Sequence, residues 1–201
     1  MNGGSSQRAT GSLRERQREA VTAAILDAAE AVVDEHGLAA PPMAEIARRA
    51  GVAVGTVYNY FPDRDGLIRA LLHDRRAALV PRLRAAAEAH AKEPFEAALR
   101  GFLRDCLALM EERRAFLRIA FELRPPGRLT DKERAVVNEL RASLTAILGR
   151  RRRAPARVAL EVRVVAAAVR AAILDGLEHG RRFTDDVDAL VDLLLDGLGR
   201  R

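Results

Sequence analysis

The stretch from Met43 to Phe61, MAEIARRAGVAVGTVYNYF, constrains the fold more than any other part of the chain. Its first half repeats apolar residues at spacings of three and four, which predicts one buried face of a short helix. Gly51 follows that helix directly and can adopt the left-handed conformation that reverses the chain. A second helix is expected from about Val54 to Phe61, with Val57 and Phe61 directed inward. The pattern therefore predicts two short helices joined by a tight turn.

The second helix of this pair carries uncharged hydrogen-bonding side chains on its remaining faces. Asn59 can read adenine in the major groove, Thr56 can contact a thymine methyl group, and tyrosine hydroxyls can bond phosphates. Ordinary core packing is the alternative for the two tyrosines. We interpret the stretch as a helix-turn-helix that places its second helix in DNA. The predicted DNA-binding residues are Val54, Gly55, Thr56, Tyr58, Asn59, Tyr60, Arg64 and Arg48.

A longer segment, IARRAGVAVGTVYNYFPDRDGLIRALL, resembles the helix-turn-helix and the start of the fourth helix in the TetR family of bacterial transcription regulators. Alanine, Gly-Val, Gly-Thr, Tyr, Phe and a basic residue recur at these intervals in that family. The resemblance implies an N-terminal DNA-binding module joined to a helical regulatory body. It also implies a homodimer on a palindromic double-stranded DNA operator, released by a small effector.

Two positions depart from the pattern of the resembled family. Pro41 and Pro42 stand where the family commonly has a threonine, and Ala53 stands where a serine usually caps the second helix of the motif. The chain therefore lacks two side-chain caps and their hydroxyl contacts to phosphate. Bare N–H groups at a helix start can still meet a phosphate. An alternative thus stays open: a helical ligand-binding or interaction protein of the same fold with weak or lost DNA binding.

Composition favours helices along the whole chain, since aromatic residues make up 4% and tryptophan is absent. We predict an all-α protein of about nine helices. Residues 1–12 are expected to form a disordered basic arm, 13–62 the three-helix DNA-binding domain, and 63–201 a larger effector-binding and dimerisation domain. A capping box at Ser12 and Glu15 predicts the start of the first helix, and Gly37 its end. Pro81 predicts a kink or break in the fourth.

The net charge of +6 does not by itself indicate nucleic acid. Residues 1–75 carry nine arginines and ten acidic residues, whereas the rest of the chain carries 25 basic and 18 acidic residues. Local clusters decide phosphate contact, and the arginines before the first helix form one. This basic arm is equally compatible with a solvated tail and with a DNA contact.

A broad apolar face in the centre of the chain provides candidates for an effector pocket. The resemblance implies that these helices enclose a small inducer, although an apolar stripe alone more often belongs to a plain core. The abundance of phenylalanine here favours a hydrophobic or aromatic effector. The candidate pocket residues are Phe95, Leu99, Phe102, Leu103, Cys106, Met110, Phe116, Ile119 and Phe121.

Small apolar side chains on the last two predicted helices would allow close helix packing. In the resembled family the corresponding pair forms a four-helix interface across a two-fold axis. The candidate dimer-interface residues are Val162, Val165, Ala166, Val169, Ile173, Val187, Leu190, Val191 and Leu194.

Enzymatic motifs are not evident in the sequence. The four histidines lack ligand spacing, and no zinc helix, nucleophile elbow or phosphate loop is present, so we predict neither an enzyme nor a metal or cofactor. Cys106, the single cysteine, is expected to be a buried filler rather than a sensor. No apolar stretch approaches the ~20 residues of a membrane span, and the N-terminal segment lacks the apolar stretch of a signal peptide. We therefore expect a cytoplasmic protein with no membrane partner.

Overall fold

The computed structural model describes residues 5–37, 42–123, 131–151 and 153–199. Over these residues the chain forms nine α-helices, one short 3₁₀ helix at Gly149–Arg151 and no strand, which confirms the predicted all-α class. The α-helices are α1 (Ser5–His36), α2 (Met43–Ala50), α3 (Val54–Tyr60), α4 (Arg64–Ala89), α5 (Phe95–Glu111), α6 (Arg114–Glu122), α7 (Asp131–Leu148), α8 (Pro155–His179) and α9 (Val187–Gly199).

The chain divides into two compact units, one ending at His73 and the other beginning at Asp74. The division thus lies inside α4 rather than after residue 62. The physical reason is burial, since the first turns of α4 bury Leu67, Ile68 and Leu71 and contribute them to the N-terminal unit. A boundary drawn at the start of a helix misses the part of that helix that completes the preceding core.

In the N-terminal unit, α1 packs against α2, and α2 packs against α3. Fully buried aliphatic side chains from all four helices form its core, including Ile25, Ile46, Val57 and Leu67. Gly37 ends α1 with a φ of 76°, as its position predicts, and its N–H donates to the carbonyl of Val33 at 2.8 Å.

The start of α1 differs from the prediction. The helix begins at Ser5 rather than at the expected capping box of Ser12, so residues 5–12 are helical and not a disordered arm. Gln7, Arg8 and Ala9 favour a helix, whereas the serines, Thr10 and Gly11 do not, so intrinsic propensity alone does not predict this extension. Residues 1–4 of the predicted arm lie outside the described part of the chain.

The C-terminal unit is built around α5, whose Leu99, Phe102, Leu103 and Leu107 are fully buried. Helix α5 contacts α6, α7, α8 and α9. α7 packs on α8, and two arginines of α5 form ion pairs with Asp188 of α9. α8 ends at Gly180, whose φ of 68° closes the helix in the left-handed conformation.

Of the kink or break predicted at Pro81, the break does not occur, because α4 continues through this position as one helix. A proline inside a helix removes one backbone hydrogen bond and crowds the preceding turn. Leu79 and Leu83, on either side of Pro81, are almost fully buried, so packing on the C-terminal core holds the helix together across this position. Within the described residues, no helix is long and apolar enough to cross a membrane.

Candidate DNA-binding and effector-binding sites

The helix-turn-helix has the predicted geometry. α2 ends at Ala50, and Gly51 takes a φ of 68° in the left-handed region. The N–H of Gly51 donates to the carbonyl of Arg48 at 3.3 Å, and the N–H of Val52 donates to the carbonyl of Ala47 at 3.0 Å. These bonds satisfy carbonyls at the end of α2 and redirect the chain into α3.

Helix α3 buries one of its seven residues, Val57, and presents the others at the surface or at its edge. Tyr58 is 48% exposed, and Gly55 and Asn59 are exposed as well. Thr56 and Tyr60 are half-buried. The helix carries no charged side chain, so its outer face offers hydroxyl, amide and backbone groups without a carboxylate that would repel a phosphate.

Tyr60 lies beneath an arginine of α1. The guanidinium carbon of Arg18 stands 5.7 Å from the centroid of the Tyr60 ring, a distance suited to a cation–π contact. The contact places a positive charge of α1 beside α3. Sequence spacing alone contained no signal for it, because forty-two positions separate the two residues in the chain.

Arg48 and Arg49 share one carboxylate. Arg48 donates to both oxygens of Glu45, with Nε at 2.8 Å and Nη2 at 2.6 Å, and Arg49 bonds Glu45 and Glu35. The hydrogen bonds from Arg48 and then Arg49 lower the pKa of Glu45 to about 2. The Arg48 side chain is still 70% exposed, and two of its five N–H groups are engaged by Glu45, so it is accessible but partly neutralised.

Neither helix of the motif has a side-chain cap. Pro42 occupies the N-cap of α2 and Ala53 the N-cap of α3, and neither makes a side-chain cap hydrogen bond, as their identities predict. Pro41 lies outside the described residues. The next helix is capped instead, because Asp63 accepts the N–H of Gly66 at 2.6 Å. Arg64, the first residue of α4, is half-buried.

A second candidate site is a cavity of about 360 Å³ inside the C-terminal unit. Side chains from α4, α5, α6, α7 and α8 line it, and most of them are apolar. Four of the predicted pocket residues contribute to this lining: Cys106, Met110, Phe116 and Phe121.

The other five predicted pocket residues do not line this cavity. Leu99, Phe102, Leu103 and Ile119 are at most 2% exposed and belong to the core, while Phe95 lies beside the Arg151 guanidinium at 4.8 Å. Because α5 buries more than one face, apolar periodicity could not show which face borders a void. Val136, Val137 and Leu140 of α7 are lining residues that sequence reasoning missed.

Cys106 is almost fully buried, and burial together with nearby Asp105 raises the pKa of its thiol to about 12. A thiol in that environment stays protonated near neutral pH and is a poor nucleophile. In the part of the chain that the structure describes, no group of histidine, cysteine and acidic side chains is arranged to hold a metal ion.

Most of the predicted dimer-interface residues are buried inside the protomer. Val165 and Val191 are fully buried, and Ala166 and Leu190 are half-buried. Ala166, Val169 and Ile173 line the cavity. Val162, Val187 and Leu194 are buried as well, so the predicted set marks the inward faces of α8 and α9. The pattern of small apolar residues correctly predicted buried side chains. These side chains are buried in the core of the protomer and do not form an exposed face. Among the described side chains of these helices, the large apolar ones that are exposed are Leu160, Val164 and Leu193.

The fold and the exposed face of α3 define a helix-turn-helix protein with a separate, cavity-containing helical unit. Residues 25–71 match the profile of a family described as bacterial regulatory proteins, tetR family. The HTH-type transcriptional regulator BetI of Escherichia coli (strain K12 / DH10B) is 34% identical over 94 residues. That alignment covers 45% of this chain and 45% of BetI, so the chain spans less than half the length of the curated relatives it matches.

Solved structures share the fold. Transcriptional regulator FadR from Bacillus subtilis, in complex with stearoyl-CoA, aligns with a TM-score of 0.65 at 19% identity, over 87% of this chain and 97% of that one. The TetR-family regulator PfmR from Thermus thermophilus aligns with a TM-score of 0.62 at 23% identity, over 85% and 93% of the two chains. Residues 25–71 are thus similar to the tetR family of bacterial regulatory proteins, and over most of its length the chain shares the fold of solved TetR-family regulators.

Proposed function

We propose that this protein is a homodimeric, ligand-responsive repressor that binds a palindromic operator through α3 and is released by a small effector with a large apolar part. The observation that carries the proposal is the outward face of α3, where Tyr58 and Asn59 are exposed on a helix without charge. Solvent-facing hydrogen-bonding side chains on the second helix of such a motif are the groups that read base edges and bind phosphates.

Each side chain of α3 has a distinct part in the proposed complex. The Asn59 amide suits bidentate pairing with adenine, and the hydroxyl of Tyr58 suits a backbone phosphate. The Arg18 guanidinium lies over the ring of Tyr60 and adds a positive charge beside α3. With no hydroxyl at Pro42 or Ala53, these groups and Arg48 carry more of the contact than they would in a capped motif.

The first experiment measures binding to the DNA flanking the protein's own gene, by fluorescence anisotropy across a salt series. Native protein should bind with an affinity that falls steeply as salt rises, because phosphate contacts release counterions. Tyr58→Phe combined with Asn59→Ala should weaken operator binding by about tenfold or more, since one bidentate base contact contributes ~1–3 kcal/mol. Asn138→Ala, at an exposed position of α7, is the matched control and should bind like native protein.

Unchanged binding by the α3 double variant, or no salt-sensitive binding by native protein, would contradict DNA recognition through α3. The second of these outcomes would favour the alternative of a helical ligand-binding protein of the same fold. That alternative draws on a specific observation, the uncapped starts of α2 and α3.

The homodimer is proposed to form through the exposed face of α8 and α9. Leu160 and Val164 lie one turn apart on α8, and Leu193 of α9 is 72% exposed. Large apolar side chains on the surface of adjacent helices are typical of a protein interface. Two recognition helices related by a two-fold axis would then match a palindromic site.

Val164→Asp combined with Leu193→Asp is expected to convert the dimer to monomer in sedimentation velocity at micromolar concentration. A buried carboxylate without a partner costs several kcal/mol at an interface, whereas both positions are exposed in the protomer, so the helical fold should persist by circular dichroism. Leu123→Asp is the control, because Leu123 is about as exposed as Val164 but lies outside α8 and α9. A double variant that remains dimeric would rule out this face.

Effector response is proposed to act through α8. This helix supplies Ala166, Val169 and Ile173 to the cavity and Leu160 and Val164 to the proposed interface. An effector that binds one arrangement of α8 more tightly than another would shift the dimer geometry and with it the spacing of the two α3 helices. The stearoyl-CoA complex of the structurally similar FadR supports a ligand with an apolar chain.

A further inference from the structure

The cavity in the C-terminal unit is lined by four arginines as well as by apolar side chains. Arg76 comes from α4, Arg141 from α7, and Arg163 and Arg170 from α8. The described residues that line the cavity include no aspartate or glutamate. The charged groups of the lining are therefore all positive, and the other lining side chains are mainly apolar.

Three of these arginines stand at the mouth of the cavity. Arg141, Arg163 and Arg170 are exposed, while lining residues such as Met110 and Phe116 are buried. Arg163 and Arg170 are seven residues apart on α8 and so project from the same side of that helix, two turns apart. The buried part of the lining is thus apolar, and the mouth of the cavity is here the part of its lining formed by these three exposed arginines.

The three arginines at the mouth differ from most other arginines of the unit in their partners. Arg82, Arg84, Arg100, Arg104, Arg114 and Arg157 each form an ion pair with a glutamate or aspartate. Among the described residues, the side chains of Arg141, Arg163 and Arg170 form no hydrogen bond or ion pair. These three positive charges in the lining of one cavity are therefore not engaged by the described acidic side chains.

We infer that this cavity binds an amphipathic anion, with its apolar chain inside and its carboxylate or phosphate at Arg141, Arg163 and Arg170. Guanidinium groups pair with both kinds of anion through charge-assisted, often bidentate hydrogen bonds. The volume of about 360 Å³ lies in the lower part of the ~300–1,000 Å³ range of ligand sites and favours a chain of moderate length. This inference rests on the proposed function in taking the cavity as the effector site.

The charge requirement narrows the effector class predicted from the sequence. A neutral hydrophobic or aromatic molecule would fill the apolar interior but leave the guanidinium groups at the mouth without a partner. A cationic amphiphile would be repelled by them. The anionic class alone satisfies both parts of the cavity.

The test is isothermal titration of the 201-residue chain with five ligands that share a twelve-carbon chain, at concentrations below micelle formation. Dodecanoate, dodecyl phosphate and lauroyl-CoA are the anions, 1-dodecanol is the neutral ligand, and dodecyltrimethylammonium is the cation. At least one anion should bind about tenfold or more tightly than the alcohol and the cation, as one charge-assisted hydrogen bond would produce. The ranking of the three anions distinguishes a carboxylate from a phosphate source.

Arg163→Gln combined with Arg170→Gln should lower the anion affinity severalfold, towards that of the alcohol, because only Arg141 and Arg76 remain in the lining, while the affinity for 1-dodecanol stays the same. Lys92→Gln combined with Arg104→Gln removes the same charge away from the cavity lining and should leave the preference intact. Equal binding of dodecanoate and 1-dodecanol, no binding of any anion, or an unchanged preference in the Arg163 and Arg170 variant would overturn the inference.

Because these titrations contain no DNA, they are independent of operator binding. An anion that binds through Arg163 and Arg170 without weakening an operator complex would support the ligand class and contradict effector-controlled release. Loss of operator binding on its own would contradict the proposed function and leave the ligand class unaffected.

Discussion

Replacing Phe102 with alanine is expected to lower the free energy of unfolding by about 3–5 kcal/mol, the usual cost of deleting a fully buried phenyl ring. Phe102 is completely buried and is among the largest fully buried side chains described. It belongs to the core around α5 and does not line the cavity. The loss combines the transfer free energy of the ring with the void left by incomplete relaxation.

Phe121→Ala is the matched comparison, because Phe121 lines the cavity and is half-exposed. Its substitution should cost much less stability than Phe102→Ala and should weaken the binding of a twelve-carbon anion. The measurement is urea unfolding followed by far-ultraviolet circular dichroism. Equal stability losses in the two variants would show that the distinction between core and cavity is wrong.

The two tyrosines supply an internal reference for these unfolding measurements. Both lie in α3, and the chain has no tryptophan, so intrinsic fluorescence reports on the N-terminal unit. Phe102→Ala should shift the circular dichroism transition of the C-terminal unit. A fluorescence transition that stays at the native position would show that the helix-turn-helix unit keeps its own stability.

Gly176→Ala is expected to destabilise the connection between α8 and α9. A β-carbon at Gly176 would lie 2.4 Å from Cδ1 of Phe183 and 2.9 Å from the carbonyl oxygen of Arg181. The Phe183 ring cannot move aside freely, because it is buried and lies 4.4 Å from the Arg114 guanidinium. Overpacking of this kind usually costs about 1–3 kcal/mol.

The segment around Phe183 is also held through its backbone. Glu111 of α5 accepts the Phe183 N–H at 2.7 Å, and Arg114 donates to the carbonyl of Gly176 at 2.9 Å. Burial alone would raise the pKa of Glu111, but the hydrogen bonds from Arg114 and the Phe183 N–H outweigh it and lower the pKa. A side chain at Gly176 therefore disturbs several contacts at once, which places the expected cost in the upper part of the range.

Gly149→Ala serves as the control, since a β-carbon there meets no atom within 4 Å and the residue has an ordinary φ. This substitution should be neutral or stabilise by up to ~1 kcal/mol, because alanine reduces the entropy of the unfolded chain. Urea unfolding of the two variants provides the comparison. If Gly176→Ala retained native stability, the packing of Phe183 against α8 would have to differ from that described.

Local sequence patterns located the helix-turn-helix to within a residue. The end of α2 depends on the left-handed conformation of Gly51, and the orientation of α3 depends on the buried Val57. Both features involve residues only a few positions apart, so the sequence predicts them directly. The absence of side-chain caps at Pro42 and Ala53 followed from residue identity in the same way. The match to the tetR family of bacterial regulatory proteins covers this same region, residues 25–71.

Sites in the C-terminal unit could not be obtained by the same reasoning. Apolar periodicity identified α8 and α9 as helices with a buried face, but Val165 and Val191 turned out to be buried in their own protomer. A hydrophobic pattern predicts that a side chain is removed from water. It does not predict whether the side chain then contacts the core, a ligand or a partner subunit. The exposed Val164 and Leu193 became visible only when the inward faces were known.

The amino-acid sequence by itself determined the all-helical class, the helix-turn-helix and the uncharged hydrogen-bonding groups that α3 carries, because each depends on residues close together along the chain. Only the tertiary structure decided which apolar side chains enclose a cavity and which charges surround its mouth. Arg141 of α7 and Arg170 of α8 line the same cavity, although they are far apart in the sequence. Their proximity depends on how the helices pack.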